Sequence, residues 1–128
     1  MLRSPPSILI TDDDPSFRET VGGVLEPQGF RTLMASDGEE AIEVMKREQV
    51  HLLMLDMHMP RLTGLETLRR LRSWNVQTPS ILLSAELDDA IRDAARRAAA
   101  FEVLGKPVTR EQITDVVARA LYDAYEWQ

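Results

Sequence analysis

Leu52-Leu53-Met54-Leu55-Asp56-Met57-His58-Met59-Pro60 is the stretch on which the reading of this chain turns. Four apolar residues run without alternation and stop at a carboxylate, and Pro60 and Gly64 then break the pattern. An apolar run this short, bounded by loop residues, suits a strand covered on both faces, as in a parallel sheet. An acid at its end falls where such sheets bind ligands, beyond the carboxyl ends of the strands.

The same unit recurs on either side. Upstream, Ile8-Leu9-Ile10 reads as a buried strand, and Phe17, Val21, Val24 and Leu25 then fall at the spacing of one helix face. Asp14-Pro15 opens that helix, because aspartate accepts from the free amides of a first turn and proline has no amide proton to leave unpaired. Pro27 and Gly29 close it. Leu33-Met34-Ala35 is a weaker strand, and Asp37-Gly38 leads into a helix with Ala41, Val44 and Met45 on its inner face. Downstream, Leu65, Leu68 and Leu71 supply a helix, and Ile81-Leu82-Leu83 forms a fourth strand ending at Ser84. Ile91, Ala94, Ala95 and Ala98 make a thin, alanine-rich helix, and Val103-Leu104 is a minimal fifth strand before Lys106-Pro107. Thr109 and Gln112 have the capping-box pattern, and Ile113, Val116, Val117, Ala120 and Leu121 give the clearest amphipathic period. Five strand-helix units with short connections imply an α/β fold, a doubly wound five-stranded parallel sheet with helices on both faces. We read residues 1–128 as one domain with a core over about 7–124.

Composition narrows the chemistry. A chain of 128 residues with 44% apolar content can bury one core without staples. No apolar run approaches a membrane span, and the opening residues lack the apolar stretch of a signal peptide, so a cytoplasmic protein with no membrane association is expected. The lack of cysteine excludes disulfides, a thiolate nucleophile and cysteine-ligated zinc. A net charge of −6 argues against direct nucleic-acid binding, and the clusters Arg69, Arg70, Arg72 and Arg96, Arg97 read as solvated helix faces.

The informative pattern is where the remaining polar residues fall. Asp12-Asp13, Asp56, Ser84 and Lys106 each lie just past a different strand, at the carboxyl ends. Each alone has an ordinary reading: aspartate caps helices, serine begins turns and lysine is solvated. Together they converge. Three carboxylates in one crevice repel unless a cation neutralises them. Oxygen-only ligands favour Mg²⁺ or Mn²⁺ over zinc. An ionised aspartate beside a cation and a lysine is what phosphoryl transfer requires: an oxygen nucleophile, and positive charge on the transferring oxygens.

Ile8-Leu9-Ile10-Thr11-Asp12-Asp13-Asp14, Leu55-Asp56-Met57-His58-Met59-Pro60, Ser84-Ala85 and Lys106-Pro107 resemble the receiver domains of two-component response regulators over nearly the whole chain. The separate motifs are modestly specific, and their order and spacing highly so. The resemblance implies a CheY-like, flavodoxin-like (βα)5 fold with strand order 2-1-3-4-5. It implies that Asp56 accepts a phosphoryl group from the phosphohistidine of a sensor histidine kinase or a histidine phosphotransfer protein. Asp12, Asp13, Asp56 and the backbone carbonyl of His58 would hold Mg²⁺ or Mn²⁺, with Asp12 acting mainly through a bound water. Lys106 would pair with Asp56 before transfer and with a phosphoryl oxygen afterwards, Ser84 would carry the switch, and Pro107 would follow a cis bond. His58 and Glu86 would tune the lifetime of the phosphoryl group. Such a domain is no enzyme beyond its own phosphorylation and dephosphorylation. Its output is a downstream protein or a covalently attached domain, and the fourth helix, fifth strand and fifth helix form the implied homodimer or partner face.

Several positions depart from the family pattern. Val103 stands where an aromatic often couples the switch hydroxyl to the last strand, and Phe101 is the candidate substitute if the short strand extends that far. His51 replaces an acid before the third strand, with an expected effect on solubility more than on chemistry. Gly22-Gly23 weakens the first helix, which either close packing or a binding surface could explain. Three rival readings are weaker. A haloacid dehalogenase-type phosphatase needs a second acid where His58 stands, and a flavodoxin-like binding protein would not have Asp12-Asp13-Asp14 at a phosphate loop. A degenerate receiver acting only as a protein-binding module would not need the full acidic, serine and lysine set.

Overall fold

The computed structural model describes residues 4–128. Its elements alternate: β1 (Ser7–Thr11), α1 (Pro15–Leu25), β2 (Arg31–Ala35), α2 (Gly38–Arg47), β3 (Leu52–Asp56), α3 (Gly64–Ser73), β4 (Ser80–Ser84), α4 (Asp89–Arg97), β5 (Glu102–Gly105) and α5 (Arg110–Tyr125). The strands form one parallel sheet in the order β2-β1-β3-β4-β5. The chain therefore reverses direction across the sheet between β1 and β3, and the crevice at that switch point is where a ligand has room.

Two cores flank the sheet because successive strand residues point to opposite faces. Ile8, Ile10, Leu52, Met54, Ile81 and Leu83 pack with α1 and α5, while Leu9, Leu53, Leu55 and Leu82 pack with α2, α3 and α4. The central strands β1, β3 and β4 are buried throughout, which is why they read as unbroken apolar runs. All five expected inner-face residues of α5 are buried, but in α2 the buried set includes Ile42, which the inner face expected from sequence, Ala41, Val44 and Met45, passed over.

Side-chain caps set the helix starts. Asp14 accepts from the Ser16 amide with Pro15 at the first helical position, and Asp37 and Asp88 cap α2 and α4. Thr109–Gln112 is a capping box, and so is Thr63–Glu66, whose Thr-x-x-Glu spacing carries the same signal and brackets Leu65, the first inner-face residue of α3.

The Gly22-Gly23 pair divides. Gly22 is buried, and a Cβ there would meet Met34 Cε at 3.0 Å, whereas a Cβ on Gly23 would meet nothing within 4 Å. Close packing explains the first glycine only. Arg69, Arg70, Arg96 and Arg97 are solvated as expected, but Arg72 is half-buried and donates to the carbonyls of Val76, Thr78 and Ala99. It ties together two loops at the amino end of the sheet.

Candidate functional site

Asp12, Asp13 and Asp56 meet at the carboxyl ends of β1 and β3. Each offers a carboxylate oxygen within 4.8 Å of the others, with Asp12 and Asp56 buried and Asp13 exposed. Adjacent parallel strands bring them together, since Thr11 pairs with Leu55 and the next residue of each strand is an acid. Gly64 holds the following loop against Asp56. A Cβ there would lie 2.3 Å from the Asp56 carbonyl oxygen, a distance no side chain can occupy.

Lys106 follows β5, and its peptide bond to Pro107 is cis. Its backbone amide donates to the Ser84 carbonyl at 2.8 Å, which brings the ammonium across β4 towards the acids. Nζ lies 2.7 Å from Asp12 Oδ2 and 3.4 Å from Asp56 Oδ1. The reading from sequence paired Lys106 with Asp56, but its nearer partner is Asp12. The reason is local: Asp56 already accepts from the His58 backbone amide, while Asp12 Oδ1 is taken by the Asp14 amide and Oδ2 is left for the lysine.

Burial pushes the Asp56 carboxyl above its ordinary range and the neighbouring Asp12 charge adds to this, while Lys106 and the His58 amide oppose it without cancelling it. Burial pulls the Lys106 ammonium down, but the hydrogen bond to Asp12 and the charges of Asp56 and Asp12 outweigh it, so the net shift is upward. Both groups hold their protons more tightly than in water. The crevice is thus short of positive charge, and its all-oxygen donor set fits a hard divalent cation.

Ser84 ends β4 fully buried. Its hydroxyl donates to the Glu86 carbonyl, accepts from the Glu86 amide at 3.2 Å and lies 3.4 Å from His58 Nε2. His58 and Glu86 are exposed beside it. His58 and His51 lie beyond opposite ends of β3, so they cannot share a metal.

Two departures resolve differently from expectation. Because β5 begins only at Glu102, Phe101 is not in alternation with Val103. Phe101 packs on the α1–α5 core and Val103 on the other, so Phe101 does not replace the missing aromatic. His51 is not a solubility residue. It is 6% exposed, its Nδ1 accepts from the Ser7 amide at 2.9 Å, and its carbonyl accepts from the Tyr125 hydroxyl at 2.8 Å. Sequence reasoning also missed Arg18, whose guanidinium donates to the Asp12 carbonyl at 2.6 Å from one turn into α1.

A doubly wound sheet of order 2-1-3-4-5, with an acidic cluster, a buried serine and a lysine on its carboxyl rim, defines the receiver class of two-component proteins. A family model for the response regulator receiver domain matches residues 8–118, and the chain belongs to that family. The response regulator MprA of Mycobacterium leprae (strain TN) is 39% identical over 106 residues, 83% of this chain and 46% of that protein. The chain spans about half the length of the curated relatives it matches. Among solved structures, the Vibrio cholerae chemotaxis protein CheY4 superposes with a TM-score of 0.87 at 26% identity, covering 92% of this chain and all of that one. The receiver domain of the Francisella response regulator 1452 gives 0.85 at 28% identity, covering 92% of this chain and 98% of that one. Family membership leaves the haloacid dehalogenase alternative without support. Among the described residues no helix is long and apolar enough to cross a membrane.

Proposed function

We propose that this receiver domain is a working phosphoacceptor switch, with Asp56 as the nucleophile. The observation that carries the reading is the crevice itself: three carboxylates within 4.8 Å and one ammonium between two of them, with Asp56 still carrying an upward pKa shift. Such a crevice takes up a cation, and a phosphoryl group beside it, with less cost than it holds its own charges apart.

In this reading an Asp56 oxygen attacks the phosphorus of a phosphohistidine on a sensor histidine kinase or histidine phosphotransfer protein. The bond from phosphorus to the imidazole nitrogen breaks, and an acyl phosphate remains on Asp56. Asp12, Asp13, Asp56 and the His58 carbonyl would hold Mg²⁺ or Mn²⁺, which when bound supplies positive charge to the transferring oxygens. Lys106 shifts from Asp12 towards the new phosphoryl oxygens. Ser84 releases the Glu86 carbonyl to donate to one of them, drawing the loop after β4 inward. Leu87 in that loop lies against Gly105 of β5, so the movement reaches the edge strand without an aromatic at 103. Coupling of this kind is worth about 1–3 kcal/mol, enough to change the affinity of the α4–β5–α5 face for a downstream protein, an attached output domain or a second copy. His58 and Glu86 flank the acceptor and set the phosphoryl lifetime, and a cytoplasmic site of action goes with such a role.

Labelling by a small phosphodonor such as phosphoramidate, with and without Mg²⁺, tests the assignment. Asp56→Asn is expected to lose metal-dependent label entirely, and normal labelling of that variant would end the reading. Ser84→Ala is expected to take label while losing the phosphorylation-induced changes in amide resonances of α4 and β5.

A further inference from the structure

Phe17 belongs to the apolar face of α1, where core packing would account for any large aliphatic residue. Its ring does something an aliphatic cannot. Lys106 Nζ lies 4.2 Å from the ring centroid, close enough for the ammonium to be attracted to the negative face of the π system. The same nitrogen is 2.7 Å from Asp12 and 3.4 Å from Asp56, so the ammonium has two charged neighbours and one aromatic one.

The three neighbours are not equivalent. Both acids belong to the cluster that would bind the cation, so a cation entering there competes with the lysine for their oxygens. The ring takes no part in that competition, because its attraction for the ammonium survives when Asp12 turns to the metal. α1 holds it in place: Asp14 caps the helix, Pro15 starts it, and Arg18 ties the next turn back to the Asp12 carbonyl. Phe17 thus stands on a rigid turn beside the acids. Lysine lacks the planar fork that would orient it by itself, and its flexible stem needs such a guide.

We propose that Phe17 is a positioning residue that keeps the Lys106 ammonium over the acceptor when the metal claims Asp12. The proposal rests on the phosphoacceptor reading above and deepens it. Phe17→Leu keeps an apolar side chain on the core and removes the ring. It is expected to lower the labelling rate constant at saturating Mg²⁺ and phosphoramidate about three- to tenfold. The Mg²⁺ dissociation constant, measured by calorimetry without donor, should change less than about twofold, because an aromatic ring supplies no oxygen to a hard cation. Phe17→Tyr, which retains a ring face, should recover most of the rate.

A second measurement is independent of labelling. The chain has two lysines, Lys46 and Lys106, so in a Lys46→Arg background the single lysine side chain is assigned without ambiguity. Its ε-methylene resonance should be displaced upfield by the ring, with and without Mg²⁺, and should return to the ordinary lysine position in Phe17→Leu. Full-rate labelling of Phe17→Leu overturns the proposal, as do equal losses in the leucine and tyrosine variants, a loss confined to Mg²⁺ affinity, or an undisplaced resonance. An unlabelled parent chain would instead sink the phosphoacceptor reading, and the resonance would still report whether the ring holds the ammonium.

Discussion

The two ends of β3 carry a histidine and an aspartate, and the sheet treats them in opposite ways. At the amino end His51 is buried beside Ser7 and Tyr125, with its ring edge-on to the tyrosine at 5.6 Å and its Nδ1 satisfied by a backbone amide. Burial lowers its pKa, which favours the neutral imidazole that accepts from the amide. At the carboxyl end Asp56 is equally buried but sits beside Asp12 and Asp13 with one ammonium among three acids. One rim is completed by the fold, and the other is left short of positive charge. Stability is built where partners match, and chemistry is available where they do not.

The largest effect that would sharpen this contrast comes from the cation. Mg²⁺ at about a hundred times its dissociation constant should stabilise the folded chain by about 2.7 kcal/mol, read as a shift in the urea midpoint. Asp13→Asn should lose most of that gain. Asp56→Asn should be more stable than the parent without metal, because burial and Asp12 both disfavour the charged carboxylate it removes. If chelation leaves the parent's midpoint unchanged, the carboxyl rim is not short of a cation and the contrast fails.

The amino rim should ignore Mg²⁺ and answer to protons. His51→Ala is expected to cost about 2 kcal/mol, since it leaves the Ser7 amide buried without its acceptor. The histidine also sets a pH dependence. Burial holds its folded pKa below the ordinary histidine range, so its contribution is present above that range and is lost as pH falls through the folded value, where the unfolded chain binds the proton more readily. Urea midpoints at pH 8 and pH 5 should differ less in His51→Ala than in the parent.

The smallest expected effect lies on neither rim. Gly23→Ala should raise stability by about 0.5–1 kcal/mol with no change in the Mg²⁺ response, because helix propensity is all that changes at an open position. Gly22→Ala should gain less, since its Cβ presses on Met34. Equal gains at both would mean that Met34 moves aside freely.

Much of this was legible in the chain alone. Leu52–Leu55 and Ile81–Leu83 announce buried strands because both faces of a parallel sheet are covered, and period and capping signals locate the helices. The acids, Ser84 and Lys106 could be placed on one rim because the carboxyl ends of parallel strands all lie on the same side. What sequence could not reveal was partner choice. Lys106 turns to Asp12, Phe17 turns its ring to the lysine, Ser84 is held by Glu86, and His51 finds the amide of Ser7, forty-four residues away. Local pattern determines which residues reach the rim, since strand and helix period depend on near neighbours. Which of them touch depends on register and on side chains that arrive from distant elements, and only the assembled sheet decides that.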